Sequence, residues 1–277
     1  MTSLGDIFFD DSLAFMRQAL LLGLLASIPF GTMGSLVVAR RITYLAAAIA
    51  HAVLGGIGFS LYAQHQWGWS WMHPLAGALV VGVLAALLVG WISIKHEANE
   101  DTLIGAIWSL GMASGLLFIF KTPQYVDPMS YLFGDILMIS SIDTTLVLVL
   151  AVVIIGFVCY TYPSLVALCF DEEFAKLRGI QTTPLYLLTL CLVAVTIVLL
   201  VSMVGIILVI ALLSLPAAIA GLFSRKLWQM MIGGTVICML FTFFGTWFSY
   251  AADLPTGPFI ILLCGISYLL TLILKKA

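Results

Sequence analysis

Charged residues are scarce in this sequence, and their scarcity excludes an ordinary soluble fold. Lys, Arg, Asp and Glu together supply 9% of the 277 residues, whereas about a quarter of a soluble domain is charged. Apolar residues supply 63%, and the mean hydropathy is +1.19. Because a soluble domain of this length could not keep so much apolar surface from water, the sequence predicts an integral membrane protein.

Motifs for several kinds of chemistry are also missing. The chain contains no GxxxxGKS or GxxxxGKT nucleotide-binding loop, no HExxH zinc motif and no GxSxG nucleophile motif, so we do not expect an enzyme or a bound cofactor. Five cysteines lie in apolar stretches without CxxC spacing, which indicates neither a disulfide framework nor a zinc knuckle. The net charge of −2 and the lack of long basic clusters argue against nucleic acid as a partner.

Membrane spans are predicted where the chain carries no charge, because a charge at the bilayer centre is costly. The charge-free interval 42–94 holds two spans divided by a polar, Trp-rich stretch, and the interval 179–224 holds two more divided near 202–205. If 205–222 only dips into the membrane, the number of crossings is eight and not nine. We predict an all-α polytopic membrane protein with helices at 13–39, 43–63, 75–94, 102–120, 142–162, 184–202, 205–222, 229–250 and 258–274.

The basic residues predict the orientation of these helices. If the turn at Arg40 and Arg41 is cytoplasmic and the spans alternate, nine of the 11 Lys and Arg residues lie inside. Arg17 and Lys121 are the two that lie outside or near the outer interface. Because cytoplasmic loops carry an excess of Lys and Arg, we expect the N-terminus outside and the C-terminus in the cytoplasm.

Three other segments have distinctive patterns. Residues 170–179 begin with acids and end with bases and a glycine, which predicts a short cytoplasmic helix. Residues 131–137 are apolar enough to lie along the outer interface. Pro216 lies in a short apolar span, where it either breaks the helix or only kinks it.

Histidines are the candidate ligands. His51 lies in a predicted span, and an ionisable residue inside the membrane is a candidate functional residue because its burial is costly. The alternative is an interhelical hydrogen bond with no further role. His65, His73 and His96 fall in predicted loops, where a histidine is usually solvated and metal capture is the less favoured interpretation.

Six segments, in order along the chain, form a recognisable pattern. The segments are RRITY at 40–44 leading into AHAVL at 50–54, EDTLIG at 100–105, YLFGDIL at 131–137, DEEFAKLRGI at 171–180, VGIILV at 204–209 through LSLPAA at 213–218, and DLPTGP at 253–258. A single apolar match of this kind is weak evidence, but six in the same order are specific. Together these segments resemble the membrane permeases of bacterial ABC importers for zinc, manganese or iron.

The resemblance implies a fold, a location and a set of partners. It implies one transmembrane permease domain over 1–277, with the type II architecture of cobalamin importers, in the bacterial inner membrane. The implied partners are cytoplasmic ABC ATPase subunits that bind ATP, an external metal-binding protein, and a second permease subunit in a homodimer or heterodimer. The implied ATPase contact is the segment 220–228 that follows Pro216, with Ser224, Arg225, Lys226 and Trp228.

One position departs from the family pattern. The second span of such permeases commonly carries an Asp four residues before the His, so that a carboxylate and an imidazole share one helix face. Here the matching residue is Ala47, while His51 remains. His51 is therefore the candidate metal contact in the transport path, either facing a second His51 in a dimer or working with a different partner permease.

Two other functions stay open on the sequence. One is a permease for a metal chelate such as a siderophore, which needs a larger lumen lined by polar side chains. The other is a membrane scaffold that transports nothing. A secondary transporter is disfavoured, because ion-coupled carriers usually place acidic residues at mid-membrane and the predicted spans contain none at that depth.

Overall fold

The computed structural model describes residues 14–95, 100–123, 128–134 and 141–276. Within these ranges nine helices are long and apolar enough to cross a membrane, and two helices are short. The helices, which we number in chain order, are α1 (Ala14–Ala39), α2 (Thr43–Trp67), α3 (Pro74–Lys95), α4 (Glu100–Lys121), α5 (Pro128–Phe133), α6 (Ser141–Phe170), α7 (Glu172–Leu177), α8 (Thr182–Val204), α9 (Ile206–Phe223), α10 (Leu227–Ala251) and α11 (Thr256–Lys276).

The all-α polytopic fold is confirmed, and the nine long helices match the nine predicted spans. The segment at 205–222 forms its own helix, α9, which begins directly after Gly205. Gly205 has φ +83°, a conformation that glycine adopts without steric cost and most other residues avoid. This single residue therefore separates α8 from α9 without a longer loop.

Two predicted helix ends are wrong. We predicted that the second span ends at residue 63, but α2 continues to Trp67 and stops at Gly68, whose φ is +68°. The predicted helix 142–162 continues to Phe170 through Pro163. Leu165 and Leu168, beyond the proline, are buried, so packing of apolar side chains stabilises the helix after the lost backbone hydrogen bond.

One of the two short helices was predicted from the sequence. Asp171 accepts a hydrogen bond from the backbone N–H of Phe174 at 2.9 Å, and Glu172 pairs with Lys176 at 3.0 Å. These contacts form the predicted short helix, α7, which is followed by Gly179 at φ +77°. The segment 131–137, which we expected to lie along the outer interface, overlaps the end of α5 at 131–133, and its residues 135–137 lie outside the described residues.

The chain divides into two compact units. The first contains α1, α6 up to Thr161, α9, α10 and α11. In this unit the backbones of α1 and its neighbours approach at glycines: a Cβ on Gly31 would lie 2.3 Å from the Thr235 nitrogen, and one on Gly34 would lie 2.1 Å from the Leu213 oxygen. Glycines at these positions let the helix backbones approach each other directly.

The second unit contains α2, α3, α4, α7, α8 and the end of α6 from Tyr162. Helix α2 is the central element of this unit, because 83% of the most apolar 18-residue stretch of α2 is buried. Glycines again allow close contact: a Cβ on Gly56 would lie 2.3 Å from the Gly77 oxygen on α3, and one on Gly58 would lie 2.3 Å from the Gly115 oxygen on α4. The second unit therefore surrounds the helix that carries His51.

Candidate functional site

His51 lies on a side of α2 that is partly exposed in the N-terminal half of this helix. Tyr44, Ala47 and His51 are exposed or half-buried, while Ala48 and Ala52 are buried. Positions 44, 47 and 51 are three and four residues apart, so their side chains share one helix face. His51 and Ala47 are thus placed together as the sequence pattern predicted.

The imidazole of His51 stacks on the indole of Trp108, which lies on α4. Their ring centroids are 4.5 Å apart and the ring planes differ by 5°. The Nδ1 atom of His51 is buried, and among the described residues no group forms a hydrogen bond with it. The ring is therefore held by packing against an aromatic face, and one of its nitrogens is left without a protein partner.

Glycines bring the two helices close enough for this stack. A Cβ on Gly111 would lie 2.5 Å from the Cα of Ala52, and one on Gly115 would lie 2.5 Å from the Leu54 oxygen. Real side chains do not fit at such distances, so the backbones of α2 and α4 touch directly. Gly111 and Gly115 therefore serve packing, and this packing brings the helices that carry His51 and Trp108 close together.

One face of α4 forms an open groove of about 380 Å³. Its lining is largely apolar, and Ser109 is its one hydroxyl-bearing residue. The Ser109 hydroxyl donates to the Gly105 carbonyl at 2.9 Å. Trp108 belongs to both the groove and the stack. The lining residues are Gly105, Trp108, Ser109, Met112, Ala113 and Leu116.

The other histidines do not join His51. At the end of α2, the Nδ1 of His65 is 2.9 Å from the Leu61 oxygen. In the loop that follows, the Nδ1 of His73 accepts from the Leu75 N–H at 3.3 Å. His96 lies outside the described residues. Across the described part of the chain, no three His, Cys, Asp or Glu residues are grouped closely enough to hold a metal ion. A metal at His51 would therefore need ligands from another source.

The candidate ATPase contact is a tight turn between α9 and α10. Ser224 ends α9 by donating its hydroxyl to the Ala220 carbonyl at 2.8 Å. The backbone N–H groups of Arg225 and Lys226 donate to the Gln229 side chain at 3.0 and 3.2 Å. The side chains of Arg225, Lys226 and Trp228 are exposed, so the turn presents two cations and an aromatic ring on a fixed backbone.

Pro216 lies inside α9 and does not end it, because the helix continues to Phe223. The sequence allowed Pro216 either to break the helix or to kink it, and the helix is not broken. The ring of Pro216 is buried, and Gly34 of α1 lies directly against the carbonyl of Leu213. The proline thus lies at a close helix contact and some two turns before the turn at Ser224.

Two contacts at these sites were not predicted. Trp108 is 57 residues from His51 in the sequence, and nothing in the local pattern of α4 indicates a stacked partner. The Lys275 ammonium contacts the Leu222 carbonyl and lies 5.7 Å from the Phe223 ring centroid. A lysine near the end of a helix is typical of a contact with terminal carbonyls, but the sequence does not show which helix it reaches.

Comparisons with known proteins agree with this architecture. A "Probable metal transport system membrane protein" of Chlamydia muridarum is 37% identical over 91% of this chain and 86% of its own length. The "Manganese transport system membrane protein MntC" of Listeria monocytogenes is 30% identical over 92% of this chain and 89% of its own length.

A solved structure gives the same result for the fold. The structure described as "PsaBC from Streptococcus pneumoniae in complex with Fab" superposes with a TM-score of 0.84 at 25% identity, covering 97% of this chain and 93% of that one. The model of the ABC 3 transport family matches residues 12–275. The predicted resemblance is confirmed: this chain belongs to the ABC 3 transport family.

Proposed function

We propose that the chain is the permease subunit of an ATP-binding-cassette importer that carries a divalent transition metal into the cytoplasm. The family match over nearly the whole chain supports a transport subunit and not an enzyme. Relatives named for metal or manganese transport support a metal as the cargo. Manganese is the first candidate on this basis, and zinc and iron are the next.

The observation that carries the metal assignment is the state of His51. Its Nδ1 is buried and without a hydrogen-bond partner among the described residues, within a helix long and apolar enough to span a membrane. A polar group in such a place costs free energy unless another interaction offsets the cost. Imidazole is a ligand for zinc, iron and related metals. A passing cation bound by the imidazole is therefore an interaction that would offset this cost.

Position 47 carries Ala and not the carboxylate of the family pattern, so His51 has no acidic partner one turn before it on α2. One imidazole alone binds a divalent ion weakly, and a transport path needs binding weak enough for release. In a dimer, a second permease brings either its own His51 or different ligands to the ion. We propose that the metal is shared between two permease subunits, with the ligand set completed by the second subunit.

We also propose the partners that the family pattern implies. ATP binds to separate cytoplasmic ABC ATPase subunits, which contact the segment 220–228 through Arg225, Lys226 and Trp228. An external metal-binding protein delivers the ion to the opposite side. The exposed cations of the α9–α10 turn and the lack of a nucleotide-binding loop in the sequence support this division of labour.

Transport assays on the complete complex test the proposal. Vesicles that contain the permease, its ATPase and its external binding protein should take up radioactive manganese when ATP is supplied. His51→Leu keeps a similar volume, so folding and assembly should survive. We expect its metal uptake at sub-saturating concentration to fall by about tenfold or more, which is the loss typical when a metal contact is disturbed.

His65→Leu is the matched control, because this histidine lies on the same helix and its Nδ1 faces the Leu61 carbonyl. It should leave uptake close to the wild-type rate. Wild-type uptake by the His51→Leu complex would remove His51 from the path. Uptake of a ferric siderophore without uptake of free ions would instead favour the chelate permease.

A further inference from the structure

A histidine that binds a metal is usually oriented by its second ring nitrogen, which donates to a carboxylate or a backbone carbonyl. His51 has no such orienting bond at Nδ1 among the described residues. Its neighbours along the buried sides of α2 are small and apolar, including Ala48 and Ala52. The plane of the imidazole must therefore be fixed by something other than a hydrogen bond from this atom.

The Trp108 indole is placed to fix that plane. The two rings are nearly parallel, with an interplanar angle of 5° and a centroid separation of 4.5 Å. At this separation, a turn of the imidazole toward an edge-on orientation would drive its ring atoms into the indole. The stack thus restricts rotation of the imidazole about its Cβ–Cγ bond.

The position of Trp108 is itself fixed by the backbone. Gly111 lies one turn after Trp108 and touches the backbone of Ala52, the residue after His51. Gly115, one turn further along α4, touches the Leu54 carbonyl. Because no flexible side chain separates the two helices at these points, the distance between the two helix backbones beside the rings cannot change without a shift of the whole helix contact.

The indole is also partly exposed. Trp108 is 41% exposed and lines the groove on α4. A Cβ added at Gly105, three residues before it, would meet no atom within 4 Å. The indole thus stacks on the imidazole and also contributes to the lining of the groove.

We propose that Trp108 is a positioning residue for metal transfer, holding the His51 imidazole in the orientation that keeps a ring nitrogen available to a divalent transition metal. The inference rests on the proposed function of His51. It assigns to the indole the orienting role that a hydrogen bond from the second ring nitrogen has at other metal-binding histidines.

The experiment compares Trp108→Leu, which removes the stack, with Trp108→Phe, which keeps an aromatic face. Manganese uptake is measured in vesicles with the complete complex, and KM and Vmax are determined separately. We expect Trp108→Leu to raise KM about tenfold with little change in Vmax, which is the lower end of the effect of losing an orienting group. Trp108→Phe should restore most of the affinity.

Trp91→Leu is the matched control, since Trp91 is a comparably exposed tryptophan on α3 with Lys95 over its ring, and its KM should not change. His51→Leu is measured in parallel. Thermal melting in detergent checks that every variant is folded, and Trp108→Met provides a second variant without the stack if Trp108→Leu does not fold.

The outcomes separate this inference from the proposed function. An unchanged KM in Trp108→Leu, together with lost uptake in His51→Leu, overturns the role of Trp108 and leaves the metal path in place. An equal loss of Vmax in the Leu and Phe variants shows a structural role and also overturns it. Wild-type uptake by His51→Leu overturns the proposed role of His51, and the role of Trp108 with it.

Discussion

Single glycines decide how close α2 and α4 can lie. At Gly111 the nearest atom to an added Cβ is the Ala52 Cα at 2.5 Å, which is backbone and not the end of a flexible side chain. Backbone cannot move aside without displacing the helix. The contact between His51 and Trp108 therefore depends on residues that carry no side chain at all.

Gly111→Ala should destabilise the permease by about 1–3 kcal/mol, because the added methyl group overpacks the contact with Ala52. Gly156→Ala on α6 is the matched control, since a Cβ there meets nothing within 4 Å and alanine is the better helix former by up to about 1 kcal/mol. Thermal melting of both variants in detergent measures the difference. Equal melting temperatures would contradict the close contact between α2 and α4.

Ala47→Asp should strengthen metal binding, because a carboxylate at 47 and the imidazole at 51 lie one turn apart on the same face of α2. Tighter binding slows release, since a path must bind weakly enough to let the ion go. We expect a lower KM for manganese together with a lower Vmax. Ala47→Asn, which has a similar shape without the charge, is the control, and the same kinetic change in both variants would contradict a role for charge.

The sequence alone could identify His51 but not its surroundings. An ionisable side chain within a charge-free interval can be found by reading the chain, because the cost of burying it in a membrane is general. The stack with Trp108 depends on which non-adjacent helix packs against α2 and at what height. That is set by the contacts at Gly111 and Gly115, whose partners are not visible in the local sequence.

At the level of the elements, the turn between α9 and α10 has defined polar contacts. The Gln229 side chain accepts from two consecutive backbone N–H groups, at Arg225 and Lys226. The Lys275 ammonium contacts the Leu222 carbonyl at the end of α9, where a positive charge complements the helix dipole. The turn is therefore held by α10 on one side and by α11 on the other.

Reversing the charge of this turn with Arg225→Glu and Lys226→Glu should release the ATPase or uncouple it, because both cations are exposed and available to a partner. The permease itself should stay folded, since the Gln229 contacts use backbone donors. Co-purification of the ATPase and metal-stimulated ATP hydrolysis are measured. Lys176→Glu in α7 is the control. Loss of hydrolysis in the control alone would move the contact to residues 171–180.

Helix positions were predictable from charge, but two helix ends were not. The nine spans follow from the intervals without charge, because the bilayer excludes charged groups. The end of α6 did not follow, since Pro163 is a helix-ending signal in water and the buried Leu165 and Leu168 override it here. The end of α2 is set by the φ of Gly68 and not by the polar residues before it.

At the level of the whole molecule, the basic residues predict how the helices are oriented across the membrane. Under the predicted topology nine of 11 basic residues lie on one side, which is the cytoplasmic pattern. The α9–α10 turn and the end of α11 then lie on the same side, as the Lys275 contact with Leu222 requires. The proposed ATPase contact and the excess of positive charge therefore lie on the same predicted face.

The topology can be tested with reporters. A fluorescent protein that folds only in the cytoplasm should be active when fused after residue 276 and inactive when fused near Gly68, whereas an external reporter enzyme should show the reverse. The reason is that α2 carries the chain outward from the cytoplasmic turn at Arg40 and Arg41. Activity of the cytoplasmic reporter at Gly68 would contradict the predicted orientation of every helix.

A third fusion site distinguishes nine crossings from eight. If α9 crosses the membrane, a fusion after Ser224 lies in the cytoplasm, on the same side as residue 276. If α9 dips in and returns, both sites move outside, because α10 and α11 add two crossings after the turn. With 18 residues at about 1.5 Å each, α9 is about 27 Å long, close to the thickness of the hydrocarbon core. We therefore expect cytoplasmic signals from both sites, and an external signal after Ser224 would place α9 as a re-entrant helix.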